Sequence, residues 1–363
     1  MRPGLNFLLL TLFMCLCRNV SAQSADHFLG LRFHHGSYIT SQARALHIKD
    51  SYTNLLEAYY GRQTDGSKEW HLANGLPRTG FAVLFGNSGS REHIGHLAGA
   101  LAFADWKLLQ KGRYRSTFRA GGGLGFIEKP YDPETNHKNL LIGARINCLL
   151  HFGWSHEIRI LPRLSADLGL SFTHLSNGRS QLPNLGLNIP ALTGGIRYAF
   201  DSKDVAGKDT NNIRPGHKAL SFLVGTSIGL KQSPTVGSPR YLVNLVQLEA
   251  GRQFAPYARY GAGLLLSYDR STASRFPDTL LPYKETIRKE FNTSIYLTYE
   301  QLLGRLTIPV QLGVYLLEQA YGEAVYQSFG VRYRFGKHLS ASIQLKTHFG
   351  TADYIHYGLN YRF

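Results

Sequence analysis

Cysteine is nearly absent from this sequence, with three in 363 residues. Cys15 and Cys17 fall in the apolar N-terminal stretch, so Cys148 alone serves the rest of the chain and offers no disulfide framework. Long apolar runs are also missing, because after that stretch none approaches the roughly 18 residues that a membrane-spanning helix requires. The sequence therefore fits neither a disulfide-rich secreted domain nor an α-helical membrane protein.

The N-terminal stretch has the three parts of a secretory signal peptide. Arg2 supplies the charged end, residues 7–17 are apolar, and Val-Ser-Ala at 20–22 suits cleavage. Residues 1–22 are therefore expected to be removed, which leaves an exported mature chain that begins near Gln23.

Acidic residues are outnumbered, since 24 Asp and Glu stand against 40 Lys and Arg, for a formal net charge of +16. This balance favours an anionic partner such as nucleic acid, phospholipid or a phosphorylated glycolipid. An exported chain without a clustered basic stretch is better suited to a phosphate-bearing membrane surface, so no nucleic-acid partner is expected. A solvated basic surface is the alternative.

The sequence is rich in aromatics and glycine, with 21 Tyr, 20 Phe and 38 Gly. Helical periodicity is rare, whereas segments of alternating polarity recur between clusters of Gly, Asn, Asp, Pro or Lys, as strands do. The first eight predicted strands cover residues 28–40, 52–61, 80–88, 93–108, 114–127, 140–156, 162–176 and 186–200. The second eight cover residues 218–231, 240–254, 257–270, 290–303, 306–318, 324–335, 338–349 and 352–363.

Three predicted strands end alike, with GIRYAF at 195–200, GVRYRF at 330–335 and GLNYRF at 358–363. Alternating strands of about ten residues with aromatics at their ends are typical of outer-membrane barrels. The predicted fold class is therefore all-β, an antiparallel transmembrane β-barrel of 12 to 16 strands. A soluble β-sandwich also alternates, but it has no need of terminal aromatics.

A polar stretch divides the predicted strands into two halves. The expected domains are the signal peptide at 1–22, barrel strands at 23–200, a connector at 201–217 and further barrel strands at 218–363. The connector could lie within one large barrel or link two small ones, and we favour one barrel.

The stretch HLSNGRSQLPNLGLN, residues 174–188, joins two of these strands. On the strand at 164–176 and on the strand that follows, the even-numbered residues form an apolar face, which is expected to face lipid. His174, Ser176 and Asn188 share that face. A hairpin with Ser176 opposite Asn188 makes them neighbours at the extracellular rim of the barrel.

A serine beside a histidine can act as a nucleophile with its general base. Ser176 is the candidate nucleophile and His174 the base, while Asn188 can accept the other imidazole N–H and hold the tautomer. Three loop residues and their backbone N–H groups are candidates for stabilising an oxyanion: Asn177, Gly178 and Asn184. Alternatively, these polar residues only mark a membrane interface and a turn.

This stretch resembles the motif of the lipid A 3-O-deacylases, the PagL-like acyloxyacyl hydrolases of the outer membrane. The similar residues are His174-x-Ser176-Asn177 and Pro183-Asn184-x-Gly186, and the resemblance extends over residues 23–200. It implies an eight-stranded barrel with a serine nucleophile, a histidine base and a glutamate twelve residues after the serine. Asn188 stands at that last position here.

The same stretch resembles outer-membrane phospholipase A, whose His-x-Ser-Asn-Gly-Arg is similar to residues 174–179. That family also has asparagine at the position of Asn188, but it lacks the Pro-Asn-x-Gly run. The resemblance implies a twelve-stranded barrel that uses calcium and dimerises at the lipid-facing site.

Both resemblances imply a serine esterase in the bacterial outer membrane that acts on a lipid of the outer leaflet. We favour lipid A, because the Pro-Asn-x-Gly run is distinctive and the positive charge suits a phosphorylated glycolipid. Phospholipid is the alternative substrate, and calcium is expected only in that case; otherwise no cofactor is expected. A noncatalytic, porin-like barrel is the third possibility, and the oligomeric state is left open.

Other polar patterns are weaker signals. His93 and His96 have a spacing found in metal sites, but no third ligand follows at a recognisable interval, so no metal is expected. Three acids that follow a predicted strand could orient an imidazole or bind calcium, although solvated loop charges are the simpler interpretation: Glu128, Asp132 and Glu134.

Overall fold

The computed structural model describes residues 27–40, 42–200, 219–233, 236–271, 290–316 and 324–363. Within these ranges the chain forms sixteen antiparallel β-strands and one short α-helix. The predicted signal peptide at 1–22 and the predicted connector at 201–217 lie outside the described residues.

All sixteen strands lie close to their predicted positions. The first eight are β1 (His27–Gly36), β2 (Thr53–Gln63), β3 (Arg78–Asn87), β4 (His96–Lys111), β5 (Tyr114–Ile127), β6 (Ile146–Arg159), β7 (Leu164–Ser176) and β8 (Leu187–Ala199). The second eight are β9 (Leu220–Gln232), β10 (Arg240–Ala255), β11 (Ala258–Asp269), β12 (Phe291–Leu303), β13 (Leu306–Tyr315), β14 (Val325–Arg334), β15 (Leu339–His348) and β16 (Thr351–Arg362). The helix α1 (Glu69–Ala73) was not predicted. No helix among the described residues has the length and apolarity to cross a membrane.

The strands close into two separate barrels of eight. β1 pairs with β8, which places Phe28 opposite Ala199, and β9 pairs with β16, which places Leu223 opposite Arg362. The predicted all-β, antiparallel barrel architecture is confirmed, but the preference for one large barrel is wrong. Alternating polarity assigns the two faces of each strand and does not specify which strand closes the sheet, so it could not separate these architectures.

The outward faces of both barrels are apolar. Phe81 and Leu168 in the first barrel are each 72% exposed, and Leu297 in the second is 67% exposed. Such outward residues form the band that faces hydrocarbon in outer-membrane barrels. A closed sheet also satisfies its backbone hydrogen bonds internally, as the membrane interior requires.

Ion pairs fill the interior of the first barrel. Arg119 contacts Glu57 and lies 2.6 Å from Asp105, while Arg32 Nε lies 2.9 Å from an oxygen of Asp167. These five side chains come from five different strands and are buried. The interior is therefore a polar core in which ion pairs connect different strands.

The second barrel has a similar polar core centred on Glu300. Its carboxylate contacts Arg332 and lies 2.7 Å from Arg259 Nη1 and 2.8 Å from Arg362 Nη2. Both barrels thus place charged residues inward and apolar residues outward, as the alternation along the strands predicts.

The two ends of the first barrel differ in their connections. At one end, here called the turn end, β4 and β5 are joined by two residues, 112–113. At the other end, here called the loop end, longer segments pack together around a buried apolar cluster that includes Ile94, Leu141, Ile142 and Leu187. Outer-membrane barrels have short periplasmic turns and longer extracellular loops, so we assign the loop end to the outside.

Candidate active site

The candidate residues lie on the outward face of β7 and β8, at the loop end. Ser165 on β7 is buried in the barrel interior, whereas Leu168 is exposed on the outside, so even-numbered residues of this strand face outward. His174 and Asn188 are half-buried, and Ser176 ends the strand on the same face. The structure therefore brings the three residues to one side of the barrel, near its loop end.

The pairing of β7 with β8 differs from the predicted hairpin by two residues. Asn188 lies opposite His174, not opposite Ser176, which instead lies opposite Cys148 on β6. A shift of two residues keeps every side chain on its original face, so the apolar pattern does not distinguish the two registers. The observed register places Asn188 directly against the imidazole.

Asn188 orients the His174 ring. Its Oδ1 lies 2.6 Å from His174 Nδ1, so the imidazole donates from Nδ1 and Nε2 is the nitrogen left to take a proton. Gly186 packs against the same ring, since a Cβ on Gly186 would lie 2.9 Å from His174 Cε1. The ring is held by a hydrogen bond at one nitrogen and by backbone contact at its edge.

Ser176 is only 5% exposed although it lies on the outward face. The Gly178 N–H lies 3.4 Å from its Oγ, at the long end of hydrogen-bond distance. Between the described residues, no hydrogen bond joins Ser176 Oγ to the His174 imidazole. Residues two apart on one strand face are about 7 Å apart, a distance that a serine rotamer and an imidazole can span.

The asparagines of the loop are bonded within it. Asn184 Oδ1 accepts the Asn177 backbone N–H at 3.1 Å, and Asn177 Nδ2 donates to the Gln181 carbonyl at 2.8 Å. The structure thus gives these two side chains a part in shaping the loop. Of the three predicted oxyanion-stabilising residues, Gly178 is the one whose N–H reaches Ser176 Oγ.

Sequence reasoning missed a neighbour that comes from the second barrel. Gln232, at the end of β9, accepts the Leu182 N–H with its side-chain Oε1 at 2.6 Å. No motif marks this glutamine, because the contact joins two barrels and depends on how they pack.

The loop acids bond elsewhere than to His174. Glu128 accepts the His96 backbone N–H and lies 2.8 Å from His96 Nδ1, and these bonds hold the pKa of the Glu128 carboxyl below its usual value. The Thr135 N–H and hydroxyl likewise lower the pKa of Asp132. Among the described residues, no group of three or more His, Cys, Asp or Glu side chains is arranged to hold a metal ion.

Two family models match the chain, one in each barrel. The model described as lipid A 3-O-deacylase (PagL) matches residues 55–197. The model described as the C-terminal domain of acyloxyacyl hydrolase matches residues 220–363. No curated protein matches the chain.

Solved outer-membrane proteins show only distant likeness. Neisserial surface protein A is 11% identical with a TM-score of 0.36, over 49% of this chain and 100% of its own. Omp33 of Acinetobacter baumannii is 7% identical with a TM-score of 0.18, over 93% of this chain and 98% of its own. The toluene transporter TodX of P. putida is 11% identical with a TM-score of 0.18, over 94% and 88% of the two chains.

Proposed function

Since this chain belongs to the lipid A 3-O-deacylase (PagL) family of outer-membrane hydrolases, we propose that it removes an ester-linked acyl chain from lipid A by serine esterase chemistry. In this proposal Ser176 is the nucleophile, His174 is the general base, and Asn188 orients the base. Gly178 donates its backbone N–H to the oxyanion, and Asn177 and Asn184 hold the loop that presents this group.

One observation carries the proposal: the 2.6 Å contact between Asn188 Oδ1 and His174 Nδ1, on the outward face that also bears Ser176. An imidazole fixed at Nδ1 presents Nε2 as a base, as in serine and cysteine hydrolases. On the outside of a barrel and near its rim, the half-buried imidazole lies where the ester-bearing region of a membrane lipid can approach it.

The proposed reaction passes through an acyl-serine intermediate. Ser176 Oγ bonds to the ester carbonyl carbon while its proton passes to His174 Nε2, and the Gly178 N–H stabilises the resulting oxyanion. The bond to the glycolipid oxygen then breaks, and this oxygen receives the proton from His174 and leaves as a hydroxyl. Water hydrolyses the acyl-serine with the same histidine as base, which releases a fatty acid and restores Ser176.

The charge of the chain supports a phosphorylated substrate. The formal net charge is +16, and Lys138 and Arg145 are exposed in the loop between β5 and β6 at the loop end. Cations near the outer surface attract phosphate groups such as those of lipid A.

Phospholipid hydrolysis is the second candidate, and Asn188 is the residue that favours it. Outer-membrane phospholipase A also has an asparagine at this position. If this alternative holds, we expect the activity to require calcium. A porin-like barrel without catalysis is less well supported, because ion pairs fill both described barrel interiors.

Mass spectrometry of lipid A from cells that express the wild-type chain or Ser176→Ala tests the proposal. We expect the wild type to yield lipid A that lacks one ester-linked acyl chain, and Ser176→Ala to yield intact lipid A. Intact lipid A in both strains would overturn the proposal. Fatty-acid release from phospholipid vesicles, measured with calcium and with a chelator, distinguishes the phospholipase alternative.

A further inference from the structure

The second barrel contacts the loop that follows Ser176, and Gln232 makes two hydrogen bonds to this loop. Its side-chain Oε1 accepts the Leu182 N–H at 2.6 Å, and its own backbone N–H donates to the Arg179 carbonyl at 3.1 Å. Gln232 is 8% exposed, so both bonds are shielded from water. One residue of β9 thus holds the loop on both sides of residues 180–181.

Two further strand ends of the second barrel touch the same loop. Arg240 Nη2, at the start of β10, donates to Gln181 Oε1 at 2.9 Å. Gly178 packs directly on β16, since a Cβ at Gly178 would lie 2.4 Å from Ile355 Cγ1. The loop therefore rests against β9, β10 and β16 together.

The burial of Ser176 is consistent with this packing. Leu168 lies on the same outward face of β7 and is largely exposed, whereas Ser176 at the end of the strand is buried. Gly178, two residues after Ser176, lies against Ile355 of β16. The second barrel thus borders the outward surface next to the candidate nucleophile.

We propose that the second barrel is part of the active site, and that Gln232 is a positioning residue for the loop that presents the Gly178 N–H to the oxyanion. This inference rests on the proposed esterase function. A backbone donor stabilises an oxyanion only if it is held in place before the reaction, because reorganising it during the reaction removes much of the benefit. The loop backbone at Leu182 and Arg179 is fixed by Gln232 rather than by the first barrel alone.

The family matches agree with a shared role for the two barrels. The model that covers the second barrel is described as the C-terminal domain of acyloxyacyl hydrolase, and it covers residues 220–363, which include Gln232, Arg240 and Ile355. A barrel that served only as a separate membrane anchor would have no need to bond to the loop after Ser176.

Gln232→Ala tests this role in the purified full-length protein, with lipid A in mixed micelles as substrate. Loss of one buried hydrogen bond to the loop is expected to lower kcat by about tenfold with KM within about twofold, since ground-state binding is untouched. Gln232→Glu keeps an oxygen for the Leu182 N–H but loses the Nε2 donor to the Ser238 carbonyl, so kcat is expected to recover in part, to within about threefold of wild type. Retention of the folded barrels is checked by heat-dependent migration in gels.

Gln311→Ala is the matched control. Gln311 is a buried glutamine of β13 in the same barrel, and its Nε2 has no hydrogen-bond partner among the described residues. We expect this variant to have wild-type kcat and KM. If it loses as much activity as Gln232→Ala, the effect is general to the second barrel and the role of Gln232 is overturned.

The remaining outcomes separate this inference from the proposed function. An active wild type together with a folded, fully active Gln232→Ala overturns the positioning role and leaves the esterase proposal intact. A wild type that leaves lipid A unchanged, as Ser176→Ala does, overturns the esterase proposal itself. If Gln232→Ala does not fold, Arg240→Ala tests whether the second barrel positions this loop. Arg240 makes an exposed contact to the same loop, so a smaller loss of kcat is expected.

Discussion

His174 and Asn188 face each other across the β7–β8 pair, with Asn188 Oδ1 2.6 Å from His174 Nδ1. In the serine–histidine–aspartate arrangement, a carboxylate at this place both orients the imidazole and stabilises the imidazolium that forms during catalysis. An amide oxygen orients the ring but carries no negative charge. In the proposed site, Asn188 therefore orients the imidazole without stabilising the imidazolium electrostatically.

Asn188→Asp adds a negative charge beside the imidazole without changing the size of the side chain. We expect kcat to rise, by up to about tenfold, since the imidazolium gains a carboxylate partner. Asn188→Ala removes the acceptor and is expected to lower kcat by at least about tenfold. Initial rates of fatty-acid release from lipid A measure both effects. An Asn188→Ala variant as active as wild type would show that Asn188 does not orient the base.

Gly186→Ala is predicted to disable the site by displacing the imidazole. The added Cβ would lie 2.9 Å from His174 Cε1, and Gly186 has a φ of +81°, where a side chain is strained. Gly237 is a matched control, because its φ is also +81° but nothing lies within 4 Å of an added Cβ. We expect Gly186→Ala to lose most esterase activity and Gly237→Ala to keep it. Equal activity in the two variants would contradict the contact.

Most of the fold could be predicted from the sequence, because successive residues of a strand point to opposite faces and alternate in polarity. The predicted segment at 162–176 corresponds to β7 (Leu164–Ser176), and its outward and inward faces were assigned as the structure has them. The partner that closes each sheet could not be predicted, since pairing of β1 with β8 depends on contacts across about 160 residues. The pairing of β1 with β8 and of β9 with β16 is what divides the sixteen strands into two barrels.

The sequence predicted which face of the strands bears the candidate site, but not the register or the contacts of its residues. His174, Ser176 and Asn188 were placed together on the outward side, whereas their register was displaced by two residues. The bonds of Asn184 within the loop and the contact with Gln232 depend on tertiary packing. A single sequence carries no periodic signal for such contacts.

At the turn end, α1 joins the two barrels through Trp70. A Cβ on Gly304 would lie 2.9 Å from Trp70 Nε1, and Asn74 Nδ2 donates to the Leu302 carbonyl at 3.1 Å. His71 lies beside Trp70, with its Nδ1 3.1 Å from Asp65 Oδ1, and its burial lowers its pKa. The folded arrangement thus favours the neutral form of His71.

This contact is predicted to weaken in acid. A histidine whose pKa is lowered by folding contributes stability above its ordinary pKa, about 6.5, and this contribution is lost as the pH falls below that value. In a Trp106→Phe/Trp154→Phe variant, Trp70 is the remaining tryptophan of three. Its emission maximum is expected to move to longer wavelength as the pH falls from about 8 to about 5. Adding His71→Gln should remove most of this shift, and a shift that persists would assign the change to another group.

Glu57 is predicted to be a main stabilising residue of the first barrel. It is 1% exposed, contacts Arg119, and lies 3.0 Å from His34 Nε2 and 3.6 Å from Arg32 Nη1. Glu57→Ala leaves two buried guanidinium groups short of a carboxylate, so we expect the free energy of unfolding to fall by about 3–5 kcal/mol. Urea unfolding of vesicle-inserted protein, followed by tryptophan fluorescence, measures this change. Glu134→Ala, at an exposed loop carboxylate, should change it by less than about 0.5 kcal/mol. Similar small losses in both variants would mean that the other pairs of the core compensate for Glu57.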